Sequence, residues 1–352
     1  MSNAKPNFGE SQVCDIVKRL YGLTTAQILP LPSYDDQNFY VLSTNGNKYV
    51  LKVMNLEDSK NSSLIEVQTY AMSFLHQHHI PAQTATATVS GKLMSLEELD
   101  CGFGPQRYLV RLLSYLPGKT ISKVPHTPQI LFDVGKMAAK MDKVLQKMEH
   151  PNIAVLERDG FIWSLSNFLV VEKYMHVLNG EPALKEAVKS VIELYKTTVV
   201  PKYPHFRSCV NHGDFNDLNV LAQVDDDGCG RICGILDFGD MNSGFYVHEL
   251  AIAIMYMMIE HPNPIEVGRW VLAGWETEIP LIAAERECLY VLVLCRFCQS
   301  MVFARHSVLL HPENEEYLMV TSRKGVHILQ DICKLGKQHV EGVWFRSAVL
   351  PN

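Results

Sequence analysis

Two short stretches, some two-thirds of the way along a chain of 352 residues, hold residue types that could do chemistry together. In His212-Gly213-Asp214-Phe215-Asn216-Asp217-Leu218-Asn219 a carboxylate, Asp214, stands five residues ahead of a neutral amide, Asn219. Ile235-Leu236-Asp237-Phe238-Gly239-Asp240 then delivers another carboxylate, Asp237, at the end of an apolar run. Phosphoryl transfer from a nucleotide needs such a set: a carboxylate to receive the acceptor hydroxyl's proton, and hard oxygen ligands for Mg²⁺ on the phosphates. Asp214 could be the general base, with Asn219 and Asp237 as metal ligands. A base of this kind needs no raised pKa, because the proton leaves late and positioning dominates. His212 is expected to brace the loop by hydrogen bonds rather than to titrate. Asp-Phe-Gly alone is a weak tripeptide; its value comes from following the first motif at short range. The pair points to a kinase.

A lysine meant to touch a phosphate must be held, and an ion pair to a carboxylate on an adjoining helix would hold it. Lys52, between Leu51 and Val53 on a β-like run, and Glu66, fourteen residues on, are the candidates. No Gly-x-Gly-x-x-Gly stands before the hairpin, and no full Walker-type Gly-x-x-x-x-Gly-Lys-Ser/Thr is present. In place of a glycine loop stands Leu31-Pro32-Ser33-Tyr34-Asp35-Asp36-Gln37-Asn38, where Ser33, Tyr34 and the N–H groups after Pro32 could reach a phosphate. Asp217 and Asp240 face a cationic substrate or cap turns. Arg296, among apolar residues and cysteines, needs an anion, either a protein carboxylate or a substrate carboxylate. Glu249, opening an apolar helix, reads as a structural anchor.

Around these residues the periodicities divide the chain. Val13, Ile16, Val17 and Leu20 predict an amphipathic helix ending near Gly22. Residues 38–43 and 48–54 flank Asn45-Gly46 and predict a hairpin. A helix over 63–78 is stopped by Pro81, and strand-like runs end at Tyr108–Leu113. From Pro128 onward the pattern is helical: 130–147, 167–178, 183–199, 249–260 and 285–306, interrupted by short strands over 209–240. Asp225-Asp226-Asp227-Gly228 reads as a solvated turn. The expectation is an α+β chain with a small β-rich lobe, residues 1–113, and a larger α-rich lobe, residues 114–352.

A formal charge of −6 gives no basic footprint for nucleic acid. The longest strongly apolar run, 250–259, is about half a membrane span, and no secretory signal is seen, so neither membrane nor protein partner is expected. Nine scattered cysteines suit reduced thiols in the cytosol. Cys295-Arg296-Phe297-Cys298 lies in a helical stretch with no matching ligand pair, so core packing is expected there. His76, His78 and His79 read as exposed, and the methionines of 254–258 as core.

The motif pair His212, Gly213, Asp214, Asn219, then Leu236, Asp237, Phe238, Gly239, resembles the aminoglycoside phosphotransferase family of small-molecule kinases. The resemblance implies a protein-kinase-like bilobal fold, with Asp214 as base, Asn219 and Asp237 on Mg²⁺, Lys52 on the nucleotide phosphates and Glu66 as its partner. It also puts the purine against the connection containing Leu113, Tyr115 and Leu116. Residues 31–39, 108–118, 234–241, 254–260 and 296–300 resemble those members that phosphorylate the side-chain hydroxyl of 5-hydroxy-L-lysine with GTP, in lysine-related catabolism. That substrate carries two cations and one anion, which nominates Asp217 and Asp240 for its ammonium groups and Arg296 for its carboxylate. Other expectations compatible with the residues are a kinase for another amino alcohol or an aminoglycoside, and a nucleotide-binding pseudokinase serving as an interaction module.

Overall fold

The computed structural model describes residues 5–100, 104–224 and 230–347, and divides into two compact units. Residues 1–117 with 148–155 make the first; 118–147 with 156–352 make the second.

The first unit is built on an antiparallel sheet. Helix α1 (Glu10–Tyr21) ends at Gly22, whose φ of +66° closes the helix in the left-handed conformation that glycine adopts without steric cost. Strands β1 (Thr25–Leu31), β2 (Gln37–Ser43) and β3 (Lys48–Val53) follow, with Asn45-Gly46 between the last two as the dipeptide predicts. After the short α2 (Leu56–Ser59) and α3 (Ser62–Gln77) come β4 (Ala85–Thr86), β5 (Ser95–Asp100) and β6 (Pro105–Ser114). The sheet order is β1-β2-β3-β6-β4, with β5 also on β6. Since β6 runs through Ser114, this unit continues beyond Leu113, to Pro117. Val13, Ile16 and Val17, at helical spacing on α1, pack on Phe39, Val41, Leu51 and Leu112, at alternating strand positions. Each such side chain contributes about 1.5–3 kcal/mol on leaving water.

The second unit is mostly helical: α4 (Pro128–Leu145), α5 (Pro182–Leu194), α6 (Tyr246–Met258), α7 (Pro264–Glu276), α8 (Ala283–Leu310), α9 (Glu315–Leu318), α10 (Val320–Leu335) and α11 (Lys337–Trp344). Short strands sit among them: β7 (Lys119–Thr120), β8 (Ser208–Asn211), β9 (Val220–Val224), β10 (Gly230–Ile235) and β11 (Asn242–Phe245). β10, β9 and β7 form one sheet, β11 and β8 another. The anticipated turn at 225–228 lies outside the described residues.

Two expected helices take other forms. Residues 165–178 are 3₁₀ turns broken at Asn167, whose amide donates to the carbonyls of Arg158 and Phe161. Residues 183–199 are α-helical only to Leu194, then loosen into a π turn before Pro201. Helix α8 has the composition and length to cross a bilayer, which the expectation of a half-length apolar run overlooks; 94% of that window is buried within the protein, as in a core helix. Its Cys288, Cys295 and Cys298 are free, buried thiols packed in the core.

Candidate active site

In the first unit, Lys52 projects from β3 with its side chain almost fully buried, and its Nζ lies 3.1 Å from Asp36 Oδ2. The other carboxylate oxygen, Oδ1, accepts from Asn55 N at 2.7 Å and from Asn55 Nδ2 at 3.1 Å. Asn55 also caps α2 through its side-chain oxygen, so the acid and the helix start are fixed together. This corrects the expected Lys52–Glu66 pair. Residues 64, 65, 67, 68, 71 and 72 occupy the buried faces of α3, which leaves Glu66 and Tyr70, four apart, on the solvent stripe. Glu66 there accepts from Asn152 Nδ2 at 3.5 Å. The signal for Asp36 lies in the hairpin register rather than in any motif: Asn38 pairs with Lys52, so Asp36 is a same-face diagonal neighbour of the lysine.

The 32–36 loop is braced by side chains. Lys5 Nζ donates to the carbonyls of Ser33 and Tyr34 at 3.1 and 3.2 Å, and Ser33 Oγ donates to Asp36 O at 2.5 Å. Leu113 is buried in β6, opposite Val50 and Ala85. Tyr115 is exposed with its ring edge-on to Tyr40 at 5.3 Å, and Leu116 is half-buried. Gln83 Nε2 takes the carbonyl of Ser114 at 3.0 Å.

In the second unit the two motifs meet. Gly213 has φ +84°, and a Cβ there would lie 2.4 Å from the carbonyl oxygen of Asp240; only glycine lets the two loops approach so closely. His212 is wholly buried, with Nε2 donating to Leu236 O at 2.9 Å and Nδ1 accepting from Asp214 N at 3.2 Å. Those two bonds hold one loop to the other, so His212 serves as a brace. Beneath them, Glu249 Oε2 accepts from Gly213 N at 3.1 Å.

Asp214 is held on several sides. Its Oδ1 lies 3.1 Å from Arg296 Nη2, and its Oδ2 accepts from Asn216 Nδ2 and Asn219 Nδ2, both at 2.9 Å. Burial pushes its carboxyl up, opposed by Arg296 and His212, while Asp237 pushes it further up. Asp237 has φ +52°, a left-handed conformation rare outside glycine, and its Oδ1 accepts from Gly239 N at 3.2 Å. Arg158 Nη1 donates to the carbonyls of Gly239 and Met241 at 2.9 and 3.3 Å, pinning the same loop.

The donor set fits a hard divalent cation. Asn219 turns its NH₂ to Asp214, which leaves its amide oxygen for a ligand, and Asp237 adds a half-buried carboxylate. Among the described residues no cluster of three or more His, Cys, Asp or Glu side chains is arranged to hold a metal unaided. Mg²⁺ binds in just this manner, through one or two protein oxygens completed by water and substrate phosphates.

The substrate-facing assignments fare differently. Asp240 is half-buried, its carboxyl pushed well up by burial and then by Asp214. Asp217 is buried, its carboxyl raised to about 7, chiefly by burial. Of the two partners expected for Arg296 it takes the protein carboxylate, which corrects only its nomination for the substrate's: it is fully buried on α8 and its charge is turned to Asp214, with Nη1 on Trp163 O at 2.8 Å. The protein supplies its anion, 82 residues away in the chain, and no local signal names that partner. Asn216, Arg158 and Gln299 also hold the site and were not anticipated.

The model of a family described as "Phosphotransferase enzyme family" matches residues 27–287. A hydroxylysine kinase of Danio rerio is similar at 59% identity over 345 residues, covering 98% of this chain and 97% of its own. One from Bos taurus is 46% identical over 355 residues, with coverages of 98% and 94%. Among solved structures, an amicoumacin kinase in complex with AMP-PNP and Ca²⁺ shares the fold with a TM-score of 0.64, at 14% identity, over 91% of this chain and 95% of that one.

Proposed function

Since the chain belongs to the phosphotransferase enzyme family, has its α+β, protein-kinase-like fold and is a kinase acting on an alcohol group, we propose that it transfers the γ-phosphoryl of GTP to the side-chain hydroxyl of 5-hydroxy-L-lysine. The substrate reading is carried by the near full-length likeness to hydroxylysine kinases, which spans both motifs. The chemical reading is carried by Asp214, a carboxylate fixed by three donors yet a quarter exposed at its side chain.

Asp214 takes the proton of the acceptor hydroxyl as its oxygen bonds to the γ-phosphorus and the bond to the GDP oxygen breaks. Lys52, held by Asp36, neutralises phosphate charge on the donor. Asn219 and Asp237 would hold Mg²⁺, which when bound draws negative charge off the β- and γ-phosphates. The loop around Ser33 and Tyr34 and the connection at Leu113, Tyr115 and Leu116 are proposed to contact the nucleotide. Asp240 is proposed to read a substrate ammonium group, for which its proximity to Asp214 and Asp237 is the support. Free thiols at the seven described cysteines suit a reducing compartment, and we place the enzyme in the cytosol, in lysine-related catabolism.

The test is acceptor-dependent GDP release across 5-hydroxy-L-lysine, lysine, ethanolamine and an aminoglycoside, each with Mg–GTP and Mg–ATP. Hydroxylysine should be turned over best. Lysine, with the same charges but no nucleophile, should inhibit without being phosphorylated. Fast turnover of ethanolamine with no competition by lysine would sink the assignment.

A further inference from the structure

Arg296 is the most deeply buried cation that touches the chemistry, and its geometry differs from that of a structural ion pair. It projects from the middle of α8 with its side chain 1% exposed. A guanidinium that pairs with a carboxylate frequently grips both oxygens side by side. Here Nη2 meets one oxygen, Asp214 Oδ1, at 3.1 Å and reaches Gly213 O at 3.3 Å, while Nη1 is anchored on Trp163 O at 2.8 Å. The Trp163 and Tyr256 rings lie 5.1 and 5.3 Å from its central carbon. The anchor is itself fixed: Gln299, one turn further along α8, donates to the carbonyls of Ile162 and Ser164 at 2.9 and 3.1 Å.

Counting lone pairs shows what this achieves. An ionised carboxylate has about four acceptor positions, two on each oxygen. Asn216 and Asn219 fill both on Oδ2, and Arg296 fills one on Oδ1. One remains, on Oδ1, on a side chain that is 25% exposed. We propose that Arg296 is the positioning residue of the general base: with the two asparagines it fixes the rotation of the Asp214 carboxylate so that the remaining Oδ1 lone pair is the one that receives the acceptor's proton. The planar fork supplies direction as well as charge. A lysine ammonium at the same place is a point charge on a flexible stem and cannot hold the Trp163 carbonyl and the carboxylate in the same fixed geometry.

This rests on the reading of Asp214 as the base, so the experiment separates the two. Arg296→Lys, Arg296→Met, Asp214→Asn and Asp214→Asn/Arg296→Lys are assayed with 5-hydroxy-L-lysine and Mg–GTP. Arg296→Met should lower kcat by ~10²-fold, the scale of a misplaced catalytic group, and Arg296→Lys by roughly ten-fold, with KM for GTP within about two-fold of wild type. On the Asp214→Asn background, adding Arg296→Lys should cost nothing further, because there is no base left to aim. Near-UV circular dichroism and the urea midpoint establish that Arg296→Lys is folded, and that variant decides the matter if Arg296→Met is not. An unaltered kcat in folded Arg296→Lys overturns the proposal, as does an equal fall on both backgrounds, the sign of a merely structural role. Full kcat in Asp214→Asn overturns the base assignment itself and the positioning role with it.

Discussion

Lys52 lies almost wholly out of water, and an ammonium there is tolerable only beside an anion. Asp36 is that anion, and it is itself tied down by Asn55, so the lysine is set in place before any ligand arrives. Asp36→Asn should therefore raise KM for Mg–GTP by at least ~10-fold, the order of one charge-assisted contact. Glu66→Gln, on the exposed stripe of α3, should leave it within about two-fold. Steady-state kinetics on both variants is the check, and the reverse pattern would return the partnership to Glu66. The contrast shows what was legible at this scale. Asp214, Asn219 and Asp237 could be named because a loop of eight residues and a strand end carry them in fixed spacing. Asp36 depends on hairpin register, and the partner of Arg296 on how α8 packs against a loop far away in the chain, which no local pattern encodes.

Helices α4 and α7 pack with their backbones unusually close. A Cβ on Gly274 of α7 would sit 1.8 Å from Phe132 O of α4, and one on Gly135 of α4 would sit 1.9 Å from Val271 O of α7. Neither obstacle is a flexible side chain, so an added methyl must push the helices apart. Gly274→Ala should cost at least about 1–3 kcal/mol, and urea unfolding would register it as a lowered midpoint. An unchanged midpoint would mean that the pair separates freely. Elements like α1, the β2–β3 hairpin and α3 were readable because their apolar spacing and turn residues agree with one another. Residues 165–178 were not: their apolar content suits an α-helix, but the amide of Asn167 takes up two nearby carbonyls and breaks it into tighter turns.

Across the whole molecule, buried ionisable groups pull stability in opposite directions with pH. His248 is buried against Tyr203, Phe206 and Phe245, and burial lowers its pKa to about 3. An unfolded chain protonates this histidine as pH falls past its ordinary value, while the folded chain does not. Its contribution is therefore intact above about 6.5 and is lost as pH falls toward 3, at about 1.4 kcal/mol per unit. Burial lifts the carboxyls of Asp142 and Asp240 well up and that of Glu249 upward, and these act the other way: their contribution is present at low pH and lost as pH rises through their folded values. His248→Phe removes only the first effect. Its stability relative to wild type should improve by about 2 kcal/mol between pH 7.5 and pH 5, measured by urea unfolding. A constant difference across that range would show that the ring is protonated in the folded state. The thiols respond to the same burial. It holds Cys209, Cys295 and Cys298 well up, raises Cys288 to about 11, and lifts Cys233 and Cys333. Only the thiolate attacks an alkylating reagent, so on the folded chain the four buried thiols, Cys209, Cys288, Cys295 and Cys298, are nearly inert at neutral pH. Each excursion that opens the core leaves a permanent chemical mark, and a mark on Cys295 or Cys298 dates the moment when the helix carrying Arg296 came loose.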